Sequence, residues 1–274
     1  MKFFRRRGRN DAEQISRPPA SQAVPLYEAG RYAEAEADAR AVARSRPRDD
    51  MYALMALGIA AVATNAQGRH ADAVATYDEA LPAFTRIFGA DHWRTLQLRS
   101  NRAQALTGLG RHAECEAECV AVARAATRGS GPEMPVVAAA ARNGLVFALN
   151  AQERHQEAEA LAREALDNPL VQGQMSQALR LGLARSLNGQ ARHEEALAEA
   201  ERAEELHLSL PEEHRRPGTG AVELAVATAL LGLHRDTEAR LQAAAAHDAC
   251  LASFGPDHYR TVEARDLLDR IDGA

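Results

Sequence analysis

The chain has 274 residues, 46% of them hydrophobic, which is enough for a sizeable core, and 33 basic residues against 38 acidic ones give it a net charge of −5. Sixty alanines against six Phe, five Tyr and one Trp favour closely packed helices and argue against an all-β or dinucleotide-binding fold, whose strands need branched and aromatic side chains. No run approaches about 18 uninterrupted apolar residues and the N-terminus has charge without an apolar core, so neither a membrane span nor a secretory signal is expected and the expected location is cytoplasmic.

Cys115, Cys119 and Cys250 are odd in number and lack paired CxxC spacing, which fits a reducing compartment without metal or cofactor. Lys2 is the one lysine among the basic residues. Arginine in its place, with the alanine excess, is what GC-rich codons produce, so a high-GC, actinobacterial-type bacterium is the expected source.

In chain order, the first segment is an arm. Residues 1–10 hold Lys2, Arg5, Arg6, Arg7 and Arg9 and no acid, leaving −10 on residues 11–274. Arg17-Pro18-Pro19 disfavours helix, so 1–19 reads as a flexible basic arm before a domain spanning 20–274. Phe3 and Phe4 beside five positive charges suit weak contact with an anionic membrane surface, where each basic residue contributes about 1 kcal/mol; a solvated terminus is the plainer reading. The acidic body argues against nucleic-acid binding.

From residue 30 onward one short motif recurs. Gly30-Arg31-Tyr32-Ala33-Glu34-Ala35 is followed by equivalents starting at Gly68, Gly110, Glu153, Ala191 and His234, spaced 38, 42, 43, 38 and 43 residues apart. Each sits between two alanine-rich helical stretches, and the glycine or its substitute marks where the first helix ends. Small residues recur seven before the turn position (Ala23, Ala61, Ala103, Val146, Ala184, Ala227), five after it (Ala35, Ala73, Cys115, Ala158, Ala196, Ala239) and twelve after it (Val42, Ala80, Val122, Ala165, Ala203, Ala246). Such positions let helix axes approach closely, the packing requirement of an α-solenoid. The pattern predicts helix pairs over 20–45, 51–88, 93–128, 134–168, 171–208 and 217–254, then a capping helix over 258–271.

These residues resemble the tetratricopeptide repeat, and a second motif brings the resemblance closer to the kinesin-light-chain-like subclass. Phe88-Gly89-Ala90-Asp91-His92-Trp93-Arg94-Thr95 recurs as Phe254-Gly255-Pro256-Asp257-His258-Tyr259-Arg260-Thr261, with the glycine expected to stop one helix and the aspartate to cap the next. The linkers Ser130-Gly131-Pro132-Glu133 and Leu210-Pro211-Glu212-Glu213-His214 depart from it. The resemblance implies an all-α, right-handed superhelix of about six hairpins that binds a protein or peptide on its concave face, without catalysis.

No catalytic constellation is legible: there is no GxSxG, HExxH, Walker A or GxGxxG. His70, His112, His155 and His193 occupy one slot of successive hairpins, where Tyr32 stands in the first, and are expected to pack at the turn rather than hold metal. Cys115 and Cys119 read as small buried residues.

In a tetratricopeptide array the first helix of each hairpin lines the groove. Counting back ten, six and three residues from each turn gives Gly58, Val62 and Asn65; Ser100, Gln104 and Thr107; Asn143, Phe147 and Asn150; Leu181, Arg185 and Asn188; and Leu224, Thr228 and Leu231. The candidate peptide-binding residues are Asn65, Ser100, Gln104, Thr107, Asn143, Phe147, Asn150, Arg185 and Asn188. Aligned amides can bond a peptide backbone, Phe147 can anchor and Arg185 can pair with a carboxylate. The competing account is that Asn simply prefers helix ends. A second row, Arg99, Arg142, Arg180 and Arg265, either edges the groove or pairs with neighbouring acids. The function expected is a scaffold for an unidentified protein or peptide; the alternative is a ligand-responsive regulatory module that senses a peptide or serves a signalling NTPase.

Overall fold

The computed structural model describes residues 22–273, so the basic arm lies outside the described residues; within them all regular structure is helical. Six antiparallel hairpins follow in series: α1 (Ala23–Glu28) with α2 (Tyr32–Arg44), α3 (Met51–Ala66) with α4 (His70–Phe88), α5 (Trp93–Gly108) with α6 (His112–Arg128), α7 (Met134–Ala151) with α8 (His155–Leu166), and α9 (Gly173–Gly189) with α10 (His193–Ser209). The short α11 (Glu212–Arg215) and a 3₁₀ turn (Arg216–Gly218) lead to the sixth pair, α12 (Ala221–Gly232) with α13 (Asp236–Phe254), and α14 (Tyr259–Asp272) closes the series. First helices pack on first helices all along the array (α1 on α3, α3 on α5, α5 on α7, α7 on α9, α9 on α12, α12 on α14), which places them in one inner layer. The chain is an α-solenoid.

Each hairpin turn is built the same way. The residue at the turn position is left-handed in all six, with φ of 75°, 76° and 71° at Gly30, Gly68 and Gly110 and 61°, 58° and 57° at Glu153, Ala191 and His234. Side-chain-bearing residues there carry strain of about 1 kcal/mol each. The next backbone N–H, from Arg31, Arg69, Arg111, Arg154, Arg192 or Arg235, donates to a carbonyl five residues back and satisfies the helix end.

The three registers of small residues form the seam. All are at most 2% exposed except Val42. α1 begins only seven residues before its turn, so among the described residues its helix does not extend opposite position 42.

Two side-chain devices lock neighbouring hairpins. In the first, the histidine that starts the second helix is braced by the asparagine five residues back, with Asn Oδ1 2.7 Å from His70 Nδ1 at Asn65 and 3.1 Å from His155 and His193 at Asn150 and Asn188. Its ring then lies against a glycine ending the next first helix. A Cβ at Gly108, Gly189 or Gly232 would meet the ring atoms of His70, His155 or His193 at 2.3–2.4 Å. Where asparagine gives way to Thr107, the corresponding glycine gives way to Ala151, and His112 Nδ1 is buried without a partner. The histidines therefore pack at the turns, as their recurrence predicts.

In the second device, Gln and Arg flanking one turn grip a glutamate of the preceding hairpin. Gln152 and Arg154 donate to Glu116 at 2.9 and 2.7 Å, Gln190 and Arg192 to Glu159 at 2.8 and 2.7 Å, and Gln67 and Arg69 to Glu36. Arg154 first, then Gln152, holds the Glu116 carboxyl below its ordinary range. At the two remaining junctions both sides are apolar: Val74 stands where Leu109 follows, and Leu197 where Leu233 follows.

The ends of the array meet. His258 lies under the Gly68 turn, where an added Cβ would be 3.3 Å from its ring, the Tyr259 ring lies 5.6 Å from that of His70, and the Arg216 side chain comes within 3.6 Å of the same point at Gly30.

Three expectations are corrected. The first hairpin's leading helix has only six residues, and the sixth hairpin begins at Ala221 rather than 217. Gly220 sets that start: its φ is 75° and a Cβ would meet Cys250 Sγ at 2.2 Å, a position open to glycine alone. The capping residue of the duplicated motif is histidine, not aspartate: His92 and His258 Nδ1 accept the N–H of Arg94 and Arg260 at 3.2 and 3.3 Å, while Gly89 and Gly255 do adopt positive φ. Burial, then Arg260 and His70, pushes His258 down to about 4, which keeps Nδ1 free to accept. α7 is long and apolar enough on average to cross a membrane, but 61% of it is buried, the signature of a core helix.

Candidate functional site

The inner layer opens into a groove at its N-terminal third. A cavity of about 520 Å³ is walled by Val24 and Tyr27 of α1, Met55, Gly58, Ile59 and Val62 of α3, and Trp93, Arg94, Gln97, Leu98 and Asn101 of α5, with Phe84 at its floor. Gln174 and His214 face these helices from the other side. Gly58 widens the space, since a side chain there would press on Leu98. The walls are chiefly apolar, so their exposure is favourable only when something covers them.

Polar groups in the groove are few. Gln97 Nε2 donates to Asn101 Oδ1 at 2.9 Å, which orients both amides on one face of α5. The Arg94 guanidinium lies 4.5 Å from the Trp93 ring centre and 5.5 Å from that of Phe88, its Nε buried without a hydrogen-bond partner. Glu28 is the one acid on the walls among the described residues. Stacking on the two rings holds the guanidinium in place.

The nine residues singled out from sequence lie elsewhere, and several are already engaged. Asn65, Asn150 and Asn188 brace the turn histidines, and Asn150, 5% exposed, also donates through Nδ2 to the Gly182 carbonyl at 2.9 Å. Their Oδ1 atoms thus serve as braces, and at Asn150 the amide nitrogen is engaged as well. Ser100 is fully buried, and Thr107 donates to Cys115 Sγ at 3.2 Å. Arg185 is exposed but holds Glu263 of α14 at 2.6 Å, so the chain supplies its carboxylate. Gln104 is exposed, and Asn143 and Phe147 are half-buried on the inner helices, with Asn143 Oδ1 lacking a partner. The second row pairs with neighbouring acids: Arg99 with Glu118 and Arg180 with Glu199 at 2.6 Å, Arg265 with Asp266 at 3.3 Å, and Arg142 with Glu164 at 3.9 Å.

The counted register and this cavity part company because the line of cavity residues drifts along the helices. It passes near the turn in α1 and reaches the opposite end of α5, so a fixed register leaves it after α3, where Gly58 and Val62 do line the cavity. Trp93 and Arg94 carried a signal nonetheless: they belong to the duplicated motif and include the sole tryptophan. Cys115 and Cys119 are free and buried, their sulfurs 3.9 Å apart, and the hydrogen bond with Cys115, then burial, raises the Cys119 thiol. Among the described residues no three His, Cys, Asp or Glu side chains converge as a metal set.

Comparison with known proteins agrees with this architecture. Residues 52–117 and 138–167 match family models described as tetratricopeptide repeat. Over those two segments the chain is similar to tetratricopeptide repeats. Among curated proteins none matches the sequence. Similar solved structures include kinesin-light-chain TPR-like repeats from Podosopora anserina, 18% identical over 68% of this chain and 92% of that one with a TM-score of 0.52. Another is PlcR of Bacillus thuringiensis in complex with the peptide PapR7 and DNA, 12% identical over 93% and 100% of the two chains with a TM-score of 0.59. At these identities the likeness is one of fold.

Proposed function

We propose that the chain is a non-enzymatic scaffold that captures a linear segment of another protein in the concave groove of its tetratricopeptide array. The observation that carries this reading is the open, largely apolar cavity between α1, α3 and α5, a surface that gains from being covered. The repeats add a second support, since tetratricopeptide modules serve interaction rather than catalysis. Met55, at 37% exposure on the wall, offers a test that spares the seam. Met55→Arg should lose the partners that the wild-type chain retains from a lysate of its source, with helix content by circular dichroism unchanged; equal recovery of the same partners overturns the reading.

A second reading, a ligand-responsive regulatory module, draws on the meeting of the array's ends, because Tyr27 belongs both to the groove wall and to the surroundings of Arg260. On this reading, filling the groove alters the closure and hence the radius of gyration by small-angle scattering. A radius that stays constant on saturation leaves the rigid scaffold.

A further inference from the structure

The two edges of the array differ in kind. Antiparallel hairpins in series place every turn on one edge and every linker on the other. At the turns, each hairpin pairs its arginine with an acid three residues on, from Arg31 with Glu34 through to Arg235 with Glu238. Among the linkers, the last two are engaged by the chain itself, through Arg216 at Gly30 and His258 at Gly68, while the first four, 45–50, 89–92, 129–133 and 167–172, stay open. Each open linker carries a large apolar side chain in it or at its border, Tyr52, Ile87, Val136 and Leu170, between 40% and 65% exposed. Exposed Pro47, Pro132 and Pro169 add surface without a backbone N–H. We propose that this linker edge is a self-association face, on which a second copy of the chain docks about a two-fold axis passing between the second and third linkers. The inference is independent of the groove.

The order of residues along the rim carries the argument. A two-fold axis at right angles to the superhelix axis maps a helical rim onto itself, so the first linker meets the second copy's fourth and the second meets its third. Tyr52 then falls opposite Leu170 and Ile87 opposite Val136, apolar on apolar. The same operation sets Arg48 opposite Asp167 and Arg128 opposite Asp91, four side chains that are exposed and unpaired among the described residues. A rim that pairs sizes and signs under one rotation is self-complementary. Four hairpins spaced about 10 Å apart and two helices deep present about 800 Å², the share one partner gives to a stable interface. Asp91 and Asp167 among the apolar groups count against an anionic lipid surface as the occupant. The arm is a poor occupant as well, because its five positive charges would approach Arg48 and Arg128.

Sedimentation equilibrium of the full chain tests the proposal. The wild type should reach twice the chain mass at about 10 µM. Val136→Asp with Leu170→Asp should weaken the association about a hundredfold, with helix content by circular dichroism unchanged. Arg48→Asp or Asp167→Arg alone should weaken it about tenfold, and the two together, which exchange the charges across the axis, should restore it, a recovery that misfolding cannot produce. Deletion of residues 1–19 should leave it unchanged. A single-copy mass at every concentration up to about 100 µM overturns the proposal. So does an association that the Val136 and Leu170 substitutions leave intact, that the charge exchange fails to restore, or that disappears with the arm. Binding to phosphatidylglycerol vesicles that those two substitutions abolish, in a chain of single-copy mass, gives the face to lipid and overturns it too.

Discussion

The seams between hairpins and the closure between the array's ends hold the molecule by opposite means. At the seam joining α7–α8 to α9–α10, small residues let helices approach, Asn150 sets His155 against Gly189, and Gln190 and Arg192 bind Glu159, so the junction is held by paired polar groups. At the closure, His258 and Tyr259 meet Gly68 and His70 through rings, with Arg216 and Arg260 close by. The closure crowds groups that share a sign once protonated. The two junctions thus differ in what can open them.

The largest effect expected is at the seam. Gly189→Ala places a methyl 2.3 Å from the braced His155 ring and should destabilise the chain by about 3 kcal/mol in urea unfolding, with much of the loss recovered in the double variant Gly189→Ala, His155→Ala. The pair Ala151 and His112 lacks this contact, and Ala151→Gly there should cost only about 1 kcal/mol, the ordinary price of glycine in a helix.

Acid should act on the closure next. His258 has its folded pKa depressed to about 4 from an ordinary 6.5, so between those values the unfolded chain binds the proton and the folded chain does not. Stability contributed by the neutral ring is complete above pH 6.5 and falls on acidification, by about 2 kcal/mol at pH 5, through a window above the carboxylate range. His70, facing it across the contact, is depressed in the same direction by burial. Unfolding curves of wild type and His258→Gln from pH 7 to 5 check this: the variant should lose less.

Two smaller effects sharpen the contrast among seams. Asn150→Ala removes one of the donors to the Gly182 carbonyl, which Ser186 Oγ also reaches, and the acceptor beside the His155 ring, and should cost about 2 kcal/mol, against less than about 1 kcal/mol for Thr107→Ala at the neighbouring seam. Glu159→Gln removes a charge from a partly exposed cluster and should shift stability by about 1 kcal/mol or less, a difference that salt reduces.

Much of the architecture was legible because it repeats at fixed offsets from one turn. Ala61, Ala103 and Ala184 read as buried for the simple reason that a helix seam tolerates nothing larger at that offset. The partnership of Asn65, His70 and Gly108, absent where Thr107, His112 and Ala151 stand, was also present in the sequence, but its members lie in two hairpins and a single-hairpin alignment separates them. The groove was illegible in another way. Its line crosses successive helices obliquely, so Asn101 and Gln97 replace Ser100 and Gln104 at α5, a consequence of superhelical twist that no offset records. The meeting of His70 with Tyr259 joins residues far apart in the chain and has no local signal.

Joined ends also bear on how such an array can change its length. An open stack lengthens by duplication, each added module touching only its neighbours. Here a hairpin inserted between α4 and α10 would carry Tyr259 away from His70 and Arg216 away from Gly30, so growth by tandem copying meets a geometric veto that an open stack escapes.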